Sequence, residues 1–283
     1  MRKNTGAALK PVRNRIWELD FLRGVCVLLM IFDHFMFDIG DIFGKEWAAV
    51  QGTDFFIGLY ERALVYSDSP LRLVTRDIVV WIFALLCGIS CSFSRSNLKR
   101  GIEVAIFALL ITAVTTFLEM PIKFGILHMF AVAILLWVLI NFISGKDAWR
   151  TAVICLAVGI MIIIVNEFCA ARYAIDEQAF TDNNDWYFIG EWMIGNESGF
   201  YSADYYPIFP SVGYMLIGAG VAPLLYPKKR SLLPWLGEYN WHAPFDFWGR
   251  IAIWVYVLHQ VVIAVILAAI SWLFITPGDF VII

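Results

Sequence analysis

The stretch Trp17–Phe37 reads WELDFLRGVCVLLMIFDHFMF, and its reading decides the fold. About 20 predominantly apolar residues are what an α-helix needs to cross a bilayer, and this stretch has that length. Yet it contains Asp20, Arg23, Asp33 and His34. A charge at the bilayer centre costs roughly 2.5–3.5 kcal/mol on insertion scales, so these side chains must face other helices or a polar cavity. Arg23 and His34 are eleven positions apart, which at about 100° per residue is three turns plus roughly 20°. The two therefore share a face, about 16 Å apart along the axis, and Asp20 lies one turn before Arg23, where it can pair with it. The segment is not a cleaved signal peptide: it is too long, it carries these charges, and no small-residue cleavage site follows.

Outward from this helix the chain is uniformly apolar. Of 283 residues 60% are hydrophobic and 16% charged, with a mean hydropathy of +0.73; ordinary soluble domains carry about 25% charged residues. This composition predicts an all-α, polytopic membrane helix bundle. It excludes a disordered chain and a disulfide scaffold. A net charge of −3 argues against a nucleic-acid partner. Seven spans are predicted: Trp17–Phe37, Ile78–Phe93, Ile102–Leu118, Phe124–Ile143, Ala152–Val165, Ile208–Tyr226 and Ile251–Ile275. The apolar stretch Phe55–Tyr66 is too short to span and predicts an interfacial or re-entrant helix.

With the N-terminus inside, fourteen Lys and Arg residues fall on the cytoplasmic side and six outside, which predicts an inner N-terminus and an outer C-terminus. Residues 1–15 are then a basic cytoplasmic tail. Residues 16–283 form one transmembrane domain with outer loops at about 38–77 and 169–206. The five cysteines sit in or beside apolar segments and read as small buried residues. No Cys/His spacing resembles a metal site, and no internal repeat is visible. The outer stretch 169–206 mixes acidic residues with aromatics, Trp186 and Trp192 among them. Such a loop suits a saccharide or an amine, and serves equally as an interfacial aromatic belt.

His128 lies at the start of the fourth span, at a depth comparable with His34, so the two imidazoles offer a shared proton-transfer site. His259, followed by Gln260, lies in the seventh span, where it reads first as an interhelical hydrogen-bonding residue. Arg95, Lys99 and Arg100 cluster after the second span beside a helix start. That cluster satisfies the positive-inside rule, and it can also bind a phosphate-bearing ligand.

Leu19-Asp20-Phe21-Leu22-Arg23-Gly24 with His34 after ten intervening residues resembles the Arg-x10-His signature of the acyltransferase-three membrane proteins. More closely, the chain resembles bacterial proteins grouped with the heparan-α-glucosaminide N-acetyltransferase catalytic domain. The stretches that carry this are Phe93–Gly101, Lys123–His128 and Tyr256–Gln260. The resemblance implies an integral protein of a bacterial or archaeal cytoplasmic membrane. It implies transfer of an acetyl or acyl group from cytosolic acyl-CoA to an acceptor at the outer face, a sugar of a glycan or cell-envelope saccharide. His34 would be the general base, helped by Asp33 or His128, with Arg23 and Asp20 supplying field and support. Arg95, Lys99 and Arg100 would hold CoA phosphates, and His259, Gln260, Trp186 and Trp192 would meet the acceptor. A covalent acyl-histidine is equally compatible, no metal is expected, and a homodimer is possible. A second class also fits buried Asp, Arg and His: a proton-coupled transporter, with the Gly- and Pro-rich sixth span as a broken helix.

Overall fold

The computed structural model describes residues 15–49, 53–175, 202 and 204–274, and every regular element among them is helical. Helix α1, Trp17–Phe37, runs into a π-helical segment, Asp38–Phe43, and then into α2, Gly44–Ala49. There follow α3 (Asp54–Ser67), α4 (Pro70–Phe93), α5 (Asn97–Phe117), α6 (Ile126–Ile143) and α7 (Ala148–Ile175). Later in the chain come α8 (Ser211–Leu225), α9 (Pro234–Gly237), α10 (Ala243–Arg250) and α11 (Ala252–Phe274).

Among the described residues five helices are long and apolar enough to cross a membrane: α4, α5, α6, residues 148–169 of α7, and α11. The chain is therefore a polytopic helical membrane protein. Helix α1 has the required length but carries Glu18, Asp20, Arg23 and Asp33. Helix α8 has fifteen residues, about 22 Å of rise, and is shorter than the hydrocarbon core. Outward-facing apolar side chains such as Leu109, Phe142, Ile164 and Val265 are exposed, as lipid-facing positions must be. Residues 1–14 of the tail, Trp186 and Trp192 lie outside the described residues.

Two expectations shift. Helix α4 begins at Pro70, eight residues before the predicted Ile78. Ser69 caps it by accepting from the Arg72 N–H, and Pro70 occupies the first turn, where its missing donor costs nothing. The extra turns carry Arg72 and Arg76, which hid them from a hydropathy reading. The Gly-rich sixth span is a continuous helix, not a broken one. Its glycines serve close packing: a Cβ on Gly218 would stand 2.1 Å from the Leu85 carbonyl oxygen, and one on Gly88 of α4 would stand 1.8 Å from that of Met215. Helix α8 is thus wedged between α4 and α7, and the main core joins α4, α5, α6, α7 and α8.

A second core, around Met36, Ile39, Trp47, Phe56 and Leu267, ties the far end of α1 to α3 and α11. At the near end α10 lies against α1, where a Cβ on Gly249 would meet the Asp20 carbonyl oxygen at 1.8 Å. His242 is buried beneath Trp17 with ring centroids 4.4 Å apart, and it bonds Asp246. Four of the cysteines are buried and all five are free thiols.

Candidate active site

A cavity of about 1640 Å³ runs along the inner face of α1. The shared face inferred for Asp20, Arg23 and His34 lines it, as does Asp33. One end lies where α1 begins and α4 ends. There Arg15, Arg95, Lys229 and Arg250 line the mouth. Arg95 is exposed, and Lys229 Nζ sits 5.8 Å over the Phe93 ring. Lys99 does not line the cavity: it is exposed and pairs with Glu103, 3.7 Å away on the next turn of α5.

Deeper in, two guanidiniums face α4. Arg23 is anchored by Asp20 and donates to Ser90 Oγ at 2.6 Å. Asp20 also receives Arg15 at 3.4 Å. Arg100 donates to the Cys87 thiol at 3.7 Å. The positive charge expected after the second span thus enters the cavity through Arg95 and Arg100, while Arg23 continues it inward.

The other end is built differently. Asp33 is not free to act as a base, because Arg72 grips both its oxygens, at 2.7 and 3.2 Å, and the Tyr66 hydroxyl donates to it at 3.0 Å. Burial, with the Asp33 carboxylate beside it, pushes the Tyr66 phenol up to about 12. His34 Nδ1 lies 3.0 Å from the Met30 carbonyl oxygen, one turn back on α1. A carbonyl only accepts, so Nδ1 carries a proton, and in the neutral ring the lone pair is the one on Nε2. Nε2 has no hydrogen-bond partner among the described residues, and a neutral imidazole held in this way is the tautomer a general base requires.

The imidazole against His34 is His259, not His128. Their rings meet edge to face with centroids 4.7 Å apart. His259 Nδ1 donates to the Tyr256 carbonyl at 2.7 Å, and its Nε2 is buried without a partner among the described residues. Gln260 donates to Asp38 at 2.7 Å. His259 and Gln260, expected to meet the acceptor, lie behind His34 at the contact of α1 with α11 and do not line the cavity. His128 is also occupied. The Gly125 N–H donates to its Nδ1 at 3.1 Å, so Nε2–H donates to Thr112 Oγ1 at 3.0 Å, and that hydroxyl donates on to the Ile122 carbonyl at 2.7 Å. This chain closes the α5–α6 turn around one fixed tautomer.

Two residues reach the His34 end without a sequence signal of their own. Asp204 and Tyr206, just before α8, line the cavity, and Tyr256 directs its hydroxyl at Asp204 Oδ2 from 3.4 Å. Burial pushes the Asp204 carboxyl up, opposed by His34 nearby, and burial likewise raises the Tyr206 phenol. Asp204 was indistinguishable from the other acidic residues of its loop. Its place is set by Gly125, where a Cβ would stand 3.2 Å from the Asp204 backbone and carboxylate oxygens. No cluster of three metal-ligating side chains occurs among the described residues.

A bundle with a cavity cationic at one end and carrying an open imidazole at the other has the parts of an acyl-transfer site. The family model described as heparan-alpha-glucosaminide N-acetyltransferase, catalytic, matches residues 15–261. The chain belongs to that family. It is accordingly an integral, multi-pass membrane protein of an acetyltransferase family. The matched span takes in every cavity-lining residue named above. No curated protein and no solved structure matches the chain.

Proposed function

We propose that the protein transfers an acetyl or other acyl group from acyl-CoA to a hydroxyl or amine of a saccharide, through the cavity along α1. The observation that carries this is the pairing of a guanidinium-lined mouth with a histidine whose Nε2 is left open at the far end. On this reading the mouth near Arg95 faces the cytoplasm, which the excess of Lys and Arg in the loops on that side supports. Arg95 and Arg100 take the CoA phosphates, since guanidinium presents paired donors to phosphate oxygens. Lys229 and Arg250, on the same rim, add charge there.

The pantetheine arm then extends past Arg23 and brings the thioester carbonyl to His34. The acceptor enters from the opposite mouth, where Asp204 and Tyr206 orient it, with Trp186 and Trp192 in the adjoining outer stretch. As the acceptor oxygen or nitrogen attacks the thioester carbonyl, its proton passes to His34 Nε2. Collapse of the tetrahedral species breaks the carbon–sulfur bond, and the CoA thiolate takes that proton back, leaving His34 neutral. The Met30 carbonyl holds the ring in place throughout and favours the imidazolium at mid-reaction. Arg23 supplies positive potential along the path, and Asp20 fixes it there.

The test is CoA release from acetyl-CoA by the purified protein, with hexosamines and oligosaccharides offered as acceptors. Acceptor-dependent release is expected from the wild type. His34→Ala should abolish it while leaving CoA binding in place, and retained turnover in that variant would overturn the base assignment.

A further inference from the structure

Asp38 is fully buried where the π-helical segment meets α11, one turn beyond His34. Its Oδ1 accepts from Gln260 Nε2 at 2.7 Å. Its other oxygen, Oδ2, and the amide oxygen Oε1 of Gln260 are both buried without a partner among the described residues. An ionised carboxylate only accepts, and so does an amide oxygen, so in that state both atoms stay unsatisfied. A proton on Oδ2 makes one of them a donor and leaves the other as its acceptor.

Among the described residues no cation pairs with Asp38. The charged residues of the elements packed around it, Lys45 and Glu46 of α2 and Asp54, Glu61 and Arg62 of α3, are all exposed. Asp41, in the same π segment, pairs with Lys45 at 3.6 Å, and Tyr66 is directed to Asp33. Tyr60 packs at Gly44. Helix α11 carries no Lys, Arg, Asp or Glu; its titratable groups are Tyr256, whose hydroxyl is directed to Asp204, and His259, which lies against the His34 ring.

We propose that Asp38 is held as the neutral carboxylic acid and donates its Oδ2–H to Gln260 Oε1, closing an acid–amide pair that keeps the Asp38 position next to His34 uncharged. Burial without a cation favours the uncharged acid, and protonation would let the two unpartnered oxygens satisfy each other in a second hydrogen bond. Burial pushes the Asp38 carboxyl in the same direction, against the Gln260 hydrogen bond and nearby His34. The consequence for His34 is electrostatic. A carboxylate one turn away would stabilise imidazolium and remove the lone pair that accepts the proton. Asp38 and Gln260 are thus positioning residues that touch neither cavity nor acceptor. Their effect on His34 rests on the transfer reading, whereas the protonation of Asp38 does not.

Infrared spectra of the purified full-length protein, with aspartate carboxyls labelled with carbon-13, read this directly. At neutral pH a protonated-carboxyl C=O band that moves with the label is expected. It should vanish in Asp38→Asn and survive in Asp204→Asn. Absence of an Asp38-dependent band overturns the proposal. Gln260→Met provides an independent arm, because loss of the amide partner should shift the same band, and an unmoved band counts against the pair.

Melting temperature supplies the sign. An acid whose folded-state affinity for its proton exceeds its unfolded value loses stability as pH rises above the ordinary carboxylate range. Asp38→Asn keeps both hydrogen bonds without that loss. Its melting temperature should therefore match or exceed that of the wild type at neutral pH, with the difference closing toward pH 4. A variant destabilised at neutral pH and recovering in acid would show an ionised Asp38. In transfer assays Asp38→Asn should keep the acidic limb of the rate profile in place. Displacement of that limb to lower pH would show that an Asp38 carboxylate had been supporting the His34 imidazolium. The infrared and melting arms need no turnover, so failure of the transfer reading leaves them interpretable.

Discussion

His34, His128 and His259 all stand in apolar helices, and what separates them is the second ring nitrogen. In His128 both nitrogens are engaged, in His259 the open one is sealed in a helix contact, and in His34 it belongs to a residue lining the cavity. His128→Asn is accordingly expected to act on folding. It breaks the link from Gly125 to Thr112 and should lower stability by about 1–3 kcal/mol in chemical denaturation. If it removed activity without loss of stability, the structural role would be wrong. Asp20→Asn strips Arg23 of its anion in a mostly buried site, with side-chain exposures of 12% and 20%. The cost should be about 3–5 kcal/mol, and a loss under 1 kcal/mol would show that solvent already screens the pair. The line Asp20–Arg23–His34 was legible because helical spacing alone sets a face. The partner of His34 was not. Depth pointed to His128, but the α1–α11 contact joins residues more than two hundred positions apart, and no local spacing encodes it.

Hydropathy was sufficient for the spans that are apolar throughout, and it failed where a helix turns charge into the cavity. Helix α4 is the clearest case, since Arg72 and Arg76 masked its first two turns, and only the Ser69-Pro70 start signal marked them. The glycines of α8 were visible in the sequence, but composition cannot tell a broken helix from a closely packed one. Packing decides it here, and Gly88→Ala tests it. The new methyl would overlap the Met215 carbonyl, and neither backbone can move far between packed helices. A destabilisation of about 3 kcal/mol, at the upper end for overpacked sites, is expected. Gly58→Ala in α3 is the control. Nothing lies within 4 Å of its Cβ position, so better helix propensity should raise stability by about 0.5–1 kcal/mol. Equal responses at the two positions would refute the close α4–α8 contact.

At the scale of the whole molecule, the bundle holds one long cavity with different chemistry at its two ends, joined by the charged face of α1. Nothing in composition announces such a cavity. It follows from α1 having to keep its ionisable residues out of lipid, and from α4, α5 and α11 closing over them. The proposed transfer depends first on acyl-CoA entering the cationic mouth. The most direct measurement is the stability of the detergent-purified protein titrated with CoA, beside an Arg95→Gln/Arg100→Gln variant and an adenosine control. A saturable rise with CoA is expected, about 2.7 kcal/mol at a hundredfold excess over the dissociation constant. That rise should be weakened in the double variant and missing with adenosine alone. A folded wild-type protein whose stability is indifferent to CoA, or a double variant that responds as fully as the wild type, would contradict it.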